Sequence, residues 1–307
     1  MEFLIGNGAR FLSKASCVTG CGLKTLSGSN PHFAPSTEDY SMTLKILGLL
    51  LAICCFVYCP LTKNDFLRPP FSREVIKRAV WDFGSEKTTG PDGFTFGFIK
   101  CYWDLMADDV FSLVEHFHHD PLIPSGCNPL FISLIPKVND PKSVKDFRPI
   151  SLIGCQAKII GKLLANRLAE VVSSVVGIEQ SAFIKGRQIL DGPLMLNEIV
   201  GWSKAKKRQL MGFKVDFEKA YDSVSWDYLF EVMGFIGFGD RWSRWIRGLL
   251  CSGRASVLVN GSPTEEFIVQ RGLRQGDPLS PSLLILIMKG LHIAFKKARE
   301  LNAVTGF

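Results

Sequence analysis

A short apolar strand that ends on a carboxylate, with helical segments on either side, narrows the fold of this chain more than any other feature. Met211 to Phe217 is that strand, and Asp216 is the carboxylate at its exposed end. Apolar residues recur at helical spacing on both sides: Ala157 to Val176 and Leu190 to Lys206 before it, Trp226 to Gly234 and Arg241 to Leu250 after it. Phe131 to Lys137 and Asp146 to Leu152 read as a pair of strands forming a hairpin. Ala255 to Val259 and Glu265 to Val269 flank Asn260-Gly261, a strong short-range turn signal, and predict another hairpin. Helices and antiparallel strands arranged in this way predict an α+β domain.

Capping residues mark the remaining helices. Ser72 is placed to cap a helix through Trp81, and Asp240 to cap the one that follows it. One helix is predicted from about Phe98 to His118. Ser280-Pro281 opens another to about Leu301, with proline in the first turn. Thr88 to Phe94, with Gly90, Pro91 and Gly93, reads as a tight turn.

Residues 1–65 have a different texture. Met1 to Tyr40 is rich in Gly and Ser with no sustained period, and Leu44 to Leu61 is almost wholly apolar. Its uncharged part, Ile46 to Leu61, falls just short of the ~17 residues a membrane span requires. The run starts too far from Met1 for an ordinary signal peptide. Membrane contact through 44–61 is one expectation; a buried helix, or a stretch misjoined to an unrelated domain, are the others.

Composition excludes a disordered chain: 47% of residues are hydrophobic and 21% charged. The net charge is +7, of which +6 falls in residues 66–307. That excess suits a polyanionic partner without demonstrating one. Nine cysteines are scattered with no CxxC pair, so free thiols in a reducing intracellular compartment are expected rather than zinc or a disulfide framework.

Two stretches carry the chemistry. Phe213-Lys214-Val215-Asp216-Phe217-Glu218-Lys219-Ala220-Tyr221-Asp222-Ser223-Val224 sets an aromatic five residues after the strand-end carboxylate. Arg271-Gly272-Leu273-Arg274-Gln275-Gly276-Asp277-Pro278-Leu279-Ser280-Pro281 is a Gly- and Pro-punctuated loop that opens a helix. Upstream stand Leu134-Ile135-Pro136-Lys137, Arg148-Pro149-Ile150-Ser151-Leu152, and Gln180 to Ile184 followed by Gly186-Arg187. In this order the blocks resemble the reverse transcriptases of non-LTR (LINE-type) retrotransposons. The similarity covers about residues 66–307 and is densest at 131–288.

That resemblance implies a right-hand polymerase architecture, with 66–130 a helical upstream region, 131–210 the fingers and 211–307 a partial palm. Residues 1–65 are left unassigned. The activity implied is RNA-templated DNA synthesis, with Mg²⁺, an RNA template, a DNA primer and deoxynucleoside triphosphates. Asp216 becomes the catalytic metal ligand, with the Phe217 carbonyl as a second oxygen donor. Tyr221 becomes a gate against the ribose 2′-hydroxyl. Gln275 and Gly276 lie at the nucleotide and its template base, Arg148 and Lys137 at the triphosphate, and Arg187 at template phosphate. Arg148 is favoured over Lys137, because a planar fork suits phosphate and a hairpin-tip lysine is usually just solvated. The family's next motif, a Tyr/Phe-Ala-Asp-Asp hairpin, would follow Phe307. The expectation is therefore an inactive polymerase fragment whose Asp216 strand has an unpaired edge. A nucleic-acid-binding remnant without activity and a membrane-anchored fragment are the alternatives. A working retroelement enzyme belongs in the nucleus, and no protein partner can be inferred.

Four features have plainer readings. Met106-Ala107-Asp108-Asp109 imitates the Ala-Asp-Asp motif but lies in a helical pattern, where adjacent carboxylates point apart. His116, His118 and His119 read as exposed polar surface. Arg241, Arg244 and Arg247, interleaved with Trp242 and Trp245, read as an amphipathic helix that turns its tryptophans inward. Asp222 reads as a helix cap.

Overall fold

The computed structural model describes residues 12–19, 22–26, 67–123, 126–208, 210–217 and 219–301, with only the backbone at 12–19, 22–26, 210–216, 294–295 and 297–299. The apolar run 44–61 lies outside the described residues, so its membrane reading finds no support here. Among the described residues no helix is long and apolar enough to cross a membrane.

In chain order the elements are β1 (Leu12–Thr19), β2 (Gly22–Leu26), α1 (Arg73–Trp81), α2 (Phe96–Cys101), α3 (Trp103–His119), β3 (Pro129–Pro136), β4 (Phe147–Ile153), α4 (Cys155–Val175), α5 (Asp191–Ala205), β5 (Leu210–Asp216), α6 (Trp226–Ile236), α7 (Asp240–Cys251), β6 (Arg254–Val259), β7 (Ser262–Pro263), β8 (Phe267–Ile268) and α8 (Ser280–Glu300). This is a mixed arrangement of sheets and helices, as the sequence predicts.

Several boundaries follow from local chemistry. Ser72 caps α1 by accepting from the Val75 amide at 3.4 Å. The single helix predicted from Phe98 is two: Thr95 caps α2, and Tyr102 leaves helical geometry (φ −103°, ψ 27°) before α3 begins. Asp240 is not the cap of α7 but its first residue, after Gly239; there its charge still suits the positive end of the helix. Asn260 and Gly261 take positive φ (50° and 82°), as a two-residue turn of this type requires. The hairpin they head is shorter than predicted, with β7 and β8 pairing separately with β6.

α4 is the central helix. Twelve of its residues are buried, on more than one face, and they join both apolar clusters of the interior. One cluster holds α1, α2 and α3 against it; the other holds α6, α7 and α8. The Thr88–Phe94 turn fixes its start. Asp92 accepts from the Cys155 amide, so the helix is capped by a residue 63 positions away. Gly90 is pressed against the end of β4, where an added Cβ would clash with the Ile153 carbonyl.

One sheet runs β4-β3-β6-β7, with β8 also on β6; β3 pairs antiparallel with β4 and parallel with β6. The second runs β2-β1-β5. Among the described residues β5 is the end strand of this sheet and pairs on one side only, so its other edge stays open as expected. Its ladder is formed with β1, antiparallel, from Val18 opposite Leu210 to Leu12 opposite Asp216. Residues 12–26 thus pair with β5 through β1; their Gly- and Ser-rich sequence has no sustained period that marks the strands.

Candidate functional site

The two informative stretches meet through their backbones. The Gly272 amide donates to the Val224 carbonyl at 2.8 Å, and the Leu273 amide to the Tyr221 carbonyl at 2.7 Å. Gly272 has φ +88°, and a Cβ there would lie 2.9 Å from the Asp222 carbonyl oxygen. Both facts require glycine. The Trp226 indole N–H closes the junction by donating to the Gly272 carbonyl at 2.8 Å.

Gln275 then joins three segments. Its carbonyl accepts from the Ser151 amide of β4 at 2.9 Å, and its Nε2 donates to Asp222 Oδ1 at 3.1 Å. Gly276, at φ +105° and exposed, passes 3.3 Å from the Ser151 carbonyl as measured from an ideal Cβ. Asp222 is therefore not a helix cap. Ser225 caps α6 instead, accepting from the Tyr228 amide at 3.4 Å. Burial raises the Asp222 carboxyl above its ordinary range, opposed by the Gln275 hydrogen bond and by the charges of Lys219 and Lys137. Tyr221 is half-buried against the larger apolar cluster, and that burial raises its phenol.

Lys137 and Arg148 are both exposed, at the end of the β3–β4 hairpin. Lys137 Nζ donates to the Lys145 carbonyl at 3.0 Å, yet its charge still reaches Asp222. The hairpin meets the loop before α8 through β4, where the Ser151 amide bonds the Gln275 carbonyl. Arg148 sits opposite Ile135. Arg187 lies elsewhere: its guanidinium donates to the carbonyls of Gly177 (2.5 Å), Gln180 (2.7 Å) and Ser173 (3.2 Å), beside the C-terminal end of α4.

One residue at this site was not singled out from the sequence. Arg274, directly before Gln275, is wholly buried. It donates to Asn128 Oδ1 at 3.0 Å and to the Leu249 carbonyl at 2.9 Å. Asn128 in turn donates to Leu249 and Ser252. Asp277, also buried, accepts from the Leu279 amide at 2.8 Å. Burial disfavours both charges, raising Asp277 and lowering Arg274, while each opposes the shift in the other. A buried ion of this kind persists only with its hydrogen bonds made. No periodicity signals such a residue; a lone Arg in a Gly-rich loop looks solvated.

The plainer readings divide. Trp242 and Trp245 are buried as predicted. Asp108 pairs with Arg73 at 3.3 Å on the surface of α3. His118, by contrast, is buried and not exposed as expected. Its Nε2 lies 3.1 Å from the Arg68 carbonyl and its Nδ1 3.1 Å from an Arg241 nitrogen, so the ring is neutral with hydrogen on Nε2.

Residues 135–305, more than half of the chain, match the reverse transcriptase (RNA-dependent DNA polymerase) family. The chain is a member of the reverse transcriptase family. It is 28% identical over 235 residues to the transposon TX1 uncharacterized 149 kDa protein of Xenopus laevis, which covers 76% of this chain and 18% of that protein. It is 25% identical over 185 residues to the Pol polyprotein of a type-1 R2 element of Popillia japonica (60% and 26%), and 29% over 157 residues to that of R2DM of Drosophila melanogaster (51% and 15%). These relatives belong to non-LTR retrotransposons, and this reverse transcriptase is of that type. The chain spans about a quarter or less of the length of each.

Reverse transcriptases depend on a divalent metal. Here Asp216 closes β5 and Phe217 follows it, so a carboxylate and a main-chain carbonyl stand in succession at the strand end. Oxygen donors of this kind suit a hard cation that completes its shell with water and substrate phosphate. Among the described residues no group of three His, Cys, Asp or Glu side chains gathers.

Proposed function

We propose that residues 131–307 form the nucleotide-facing part of an RNA-directed DNA polymerase, with 131–210 as fingers and 211–307 as palm. The observation that carries this reading is the bridge made by Gln275, which ties β4 to Asp222 within the family match. It brings the hairpin with Lys137 and Arg148, the Tyr221 aromatic and the Gly276 loop to one place. In this reading Asp216 and the Phe217 carbonyl hold Mg²⁺, which supplies charge neutralisation at the triphosphate. Arg148 forks onto phosphate, with Lys137 beside it as a point charge. Tyr221 lies under the sugar and selects deoxyribose. Gln275 and Gly276 align the incoming base with the RNA template. Arg187 serves the template side by fixing the end of α4, from which the 177–187 loop departs.

The test is dissociation of a labelled RNA-template/DNA-primer duplex from the purified chain in Mg²⁺. The complementary dNTP should slow dissociation, while a non-complementary one should not. Arg148→Ala and Asp216→Asn should each remove the difference. Equal dissociation with either nucleotide would leave a nucleic-acid-binding protein and defeat the polymerase reading.

A further inference from the structure

A cavity of about 120 Å³ lies between the turn after α4 and one face of α8. Ile285, Lys289 and His292 are four and three residues apart, so they share that face. Val176, Ile285 and Met288 give the cavity an apolar wall, and Lys289, Glu179 and His292 also line it. Glu179 and His292 are exposed, at the rim. They converge over Gly177: a Cβ added there would clash with the Glu179 carboxylate and lie 3.7 Å from His292 Nε2. Lys289 is only 9% exposed, yet among the described residues its ammonium has no hydrogen-bond or ion-pair partner.

Burial disfavours the Lys289 charge and lowers its pKa; Glu179 opposes that shift from the rim, and Lys296 adds to it. A buried ammonium without a partner carries a cost that a ligand of opposite charge removes. Size and lining restrict the ligand. A cavity of ~150 Å³ holds a benzene ring, so this one takes about five heavy atoms. The apolar wall suits a short hydrocarbon body, and the Glu179 carboxylate at the rim repels a second negative charge.

We propose that this cavity binds a short monocarboxylate, with its charged end on Lys289 and its hydrocarbon on Val176, Ile285 and Met288. The bound ligand joins α8 to the turn after α4. None of the residues that the polymerase reading uses lines the cavity, and the proposal stands apart from that reading.

Saturation-transfer NMR of propionate with the full chain tests it. Propionate should show saturable binding. Lys289→Met keeps the apolar stem and removes the ammonium, and should weaken binding about tenfold or more. Glu179→Gln removes the competing carboxylate and should tighten binding about two- to fivefold. Acetate, one methylene shorter, should bind about fourfold more weakly, and propylammonium should not bind. Where Lys289→Met lowers the melting temperature, the exposed Glu179→Gln change and the acetate comparison carry the test. Absence of transfer to propionate in both the parent and Glu179→Gln overturns the proposal, as does binding that a folded Lys289→Met chain retains in full. Inorganic phosphate binding more tightly than propionate would make this a site for compact oxyanions, and overturns the carboxylate assignment.

Discussion

Gln275 donates to Asp222 across 3.1 Å, adding a side-chain bond to the backbone bonds that join the loop before α8 to the segment after β5. Asp222 is pushed upward by burial, so the folded chain binds its proton more tightly than the unfolded chain does. Stability from this group is therefore full below the ordinary carboxylate range and lost as pH rises through the raised value. Asp222→Asn keeps the acceptor and removes the titration. Its melting temperature relative to the parent should climb as pH is raised from about 4 and then level off. Gln275→Leu should do the opposite, since it deprives the charged form of its hydrogen bond. A pH-independent difference for Asp222→Asn would contradict this account.

Arg274 and Asn128 should behave as a unit. Truncating Arg274 to Ala strands the Asn128 Oδ1 acceptor and leaves Asp277 without its counter-charge, a loss of about 3–5 kcal/mol. Arg274→Met, which keeps the packing, should cost less. In a double-mutant cycle with Asn128→Leu, measured by urea unfolding, the coupling should be about 0.5–3 kcal/mol. Additive losses would show that the two side chains contribute independently.

His118 predicts acid sensitivity. Burial lowers its pKa, reinforced by Arg241, His119 and Arg167 and opposed by the bond to Arg68. The unfolded chain takes up the proton first, so the stability from the neutral ring is present above about pH 6.5 and lost as pH falls through the depressed value. Urea midpoints of the parent should drop over that range. His118→Gln should flatten the drop, at some cost in packing against Trp245. An unaltered pH profile in the variant would place the acid sensitivity elsewhere.

Tyr221 should set sugar selectivity. In the dissociation assay the parent should distinguish a complementary dNTP from the matching rNTP. Tyr221→Ala should narrow that ratio by admitting the 2′-hydroxyl, and Tyr221→Phe should retain it because the ring is kept. Loss of both nucleotide effects together in Tyr221→Ala would reduce the residue to packing in the α6–α8 cluster.

The sequence made most helices legible, because their signals are local. Ser72 fixes the start of α1, the period from Ala157 finds α4, and Asn260-Gly261 marks its turn. The site was half legible. Gln275, Gly276 and Tyr221 belong to recognisable blocks, and the structure brings them together. Arg274 was invisible, since its role depends on Asn128 and Leu249, distant in sequence. Asp222 was misread for the same reason: its partner is 53 residues away. α5 shows the reverse case. Its helical period is real, yet among its described residues only Ser203 is buried, because period reports helix and not what covers it.

The parallel pairing of β3 with β6 sets Pro129 opposite Arg254. Closing so long a loop costs entropy before any of its contacts repay it. During synthesis, the β3–β4 hairpin and α4 emerge well before the strand that completes their sheet. The nascent chain therefore holds one edge of β3 open while roughly a hundred further residues are added, for several seconds at ordinary translation rates. That interval, rather than the finished fold, is when this chain is most exposed to mispairing with its neighbours on a polysome.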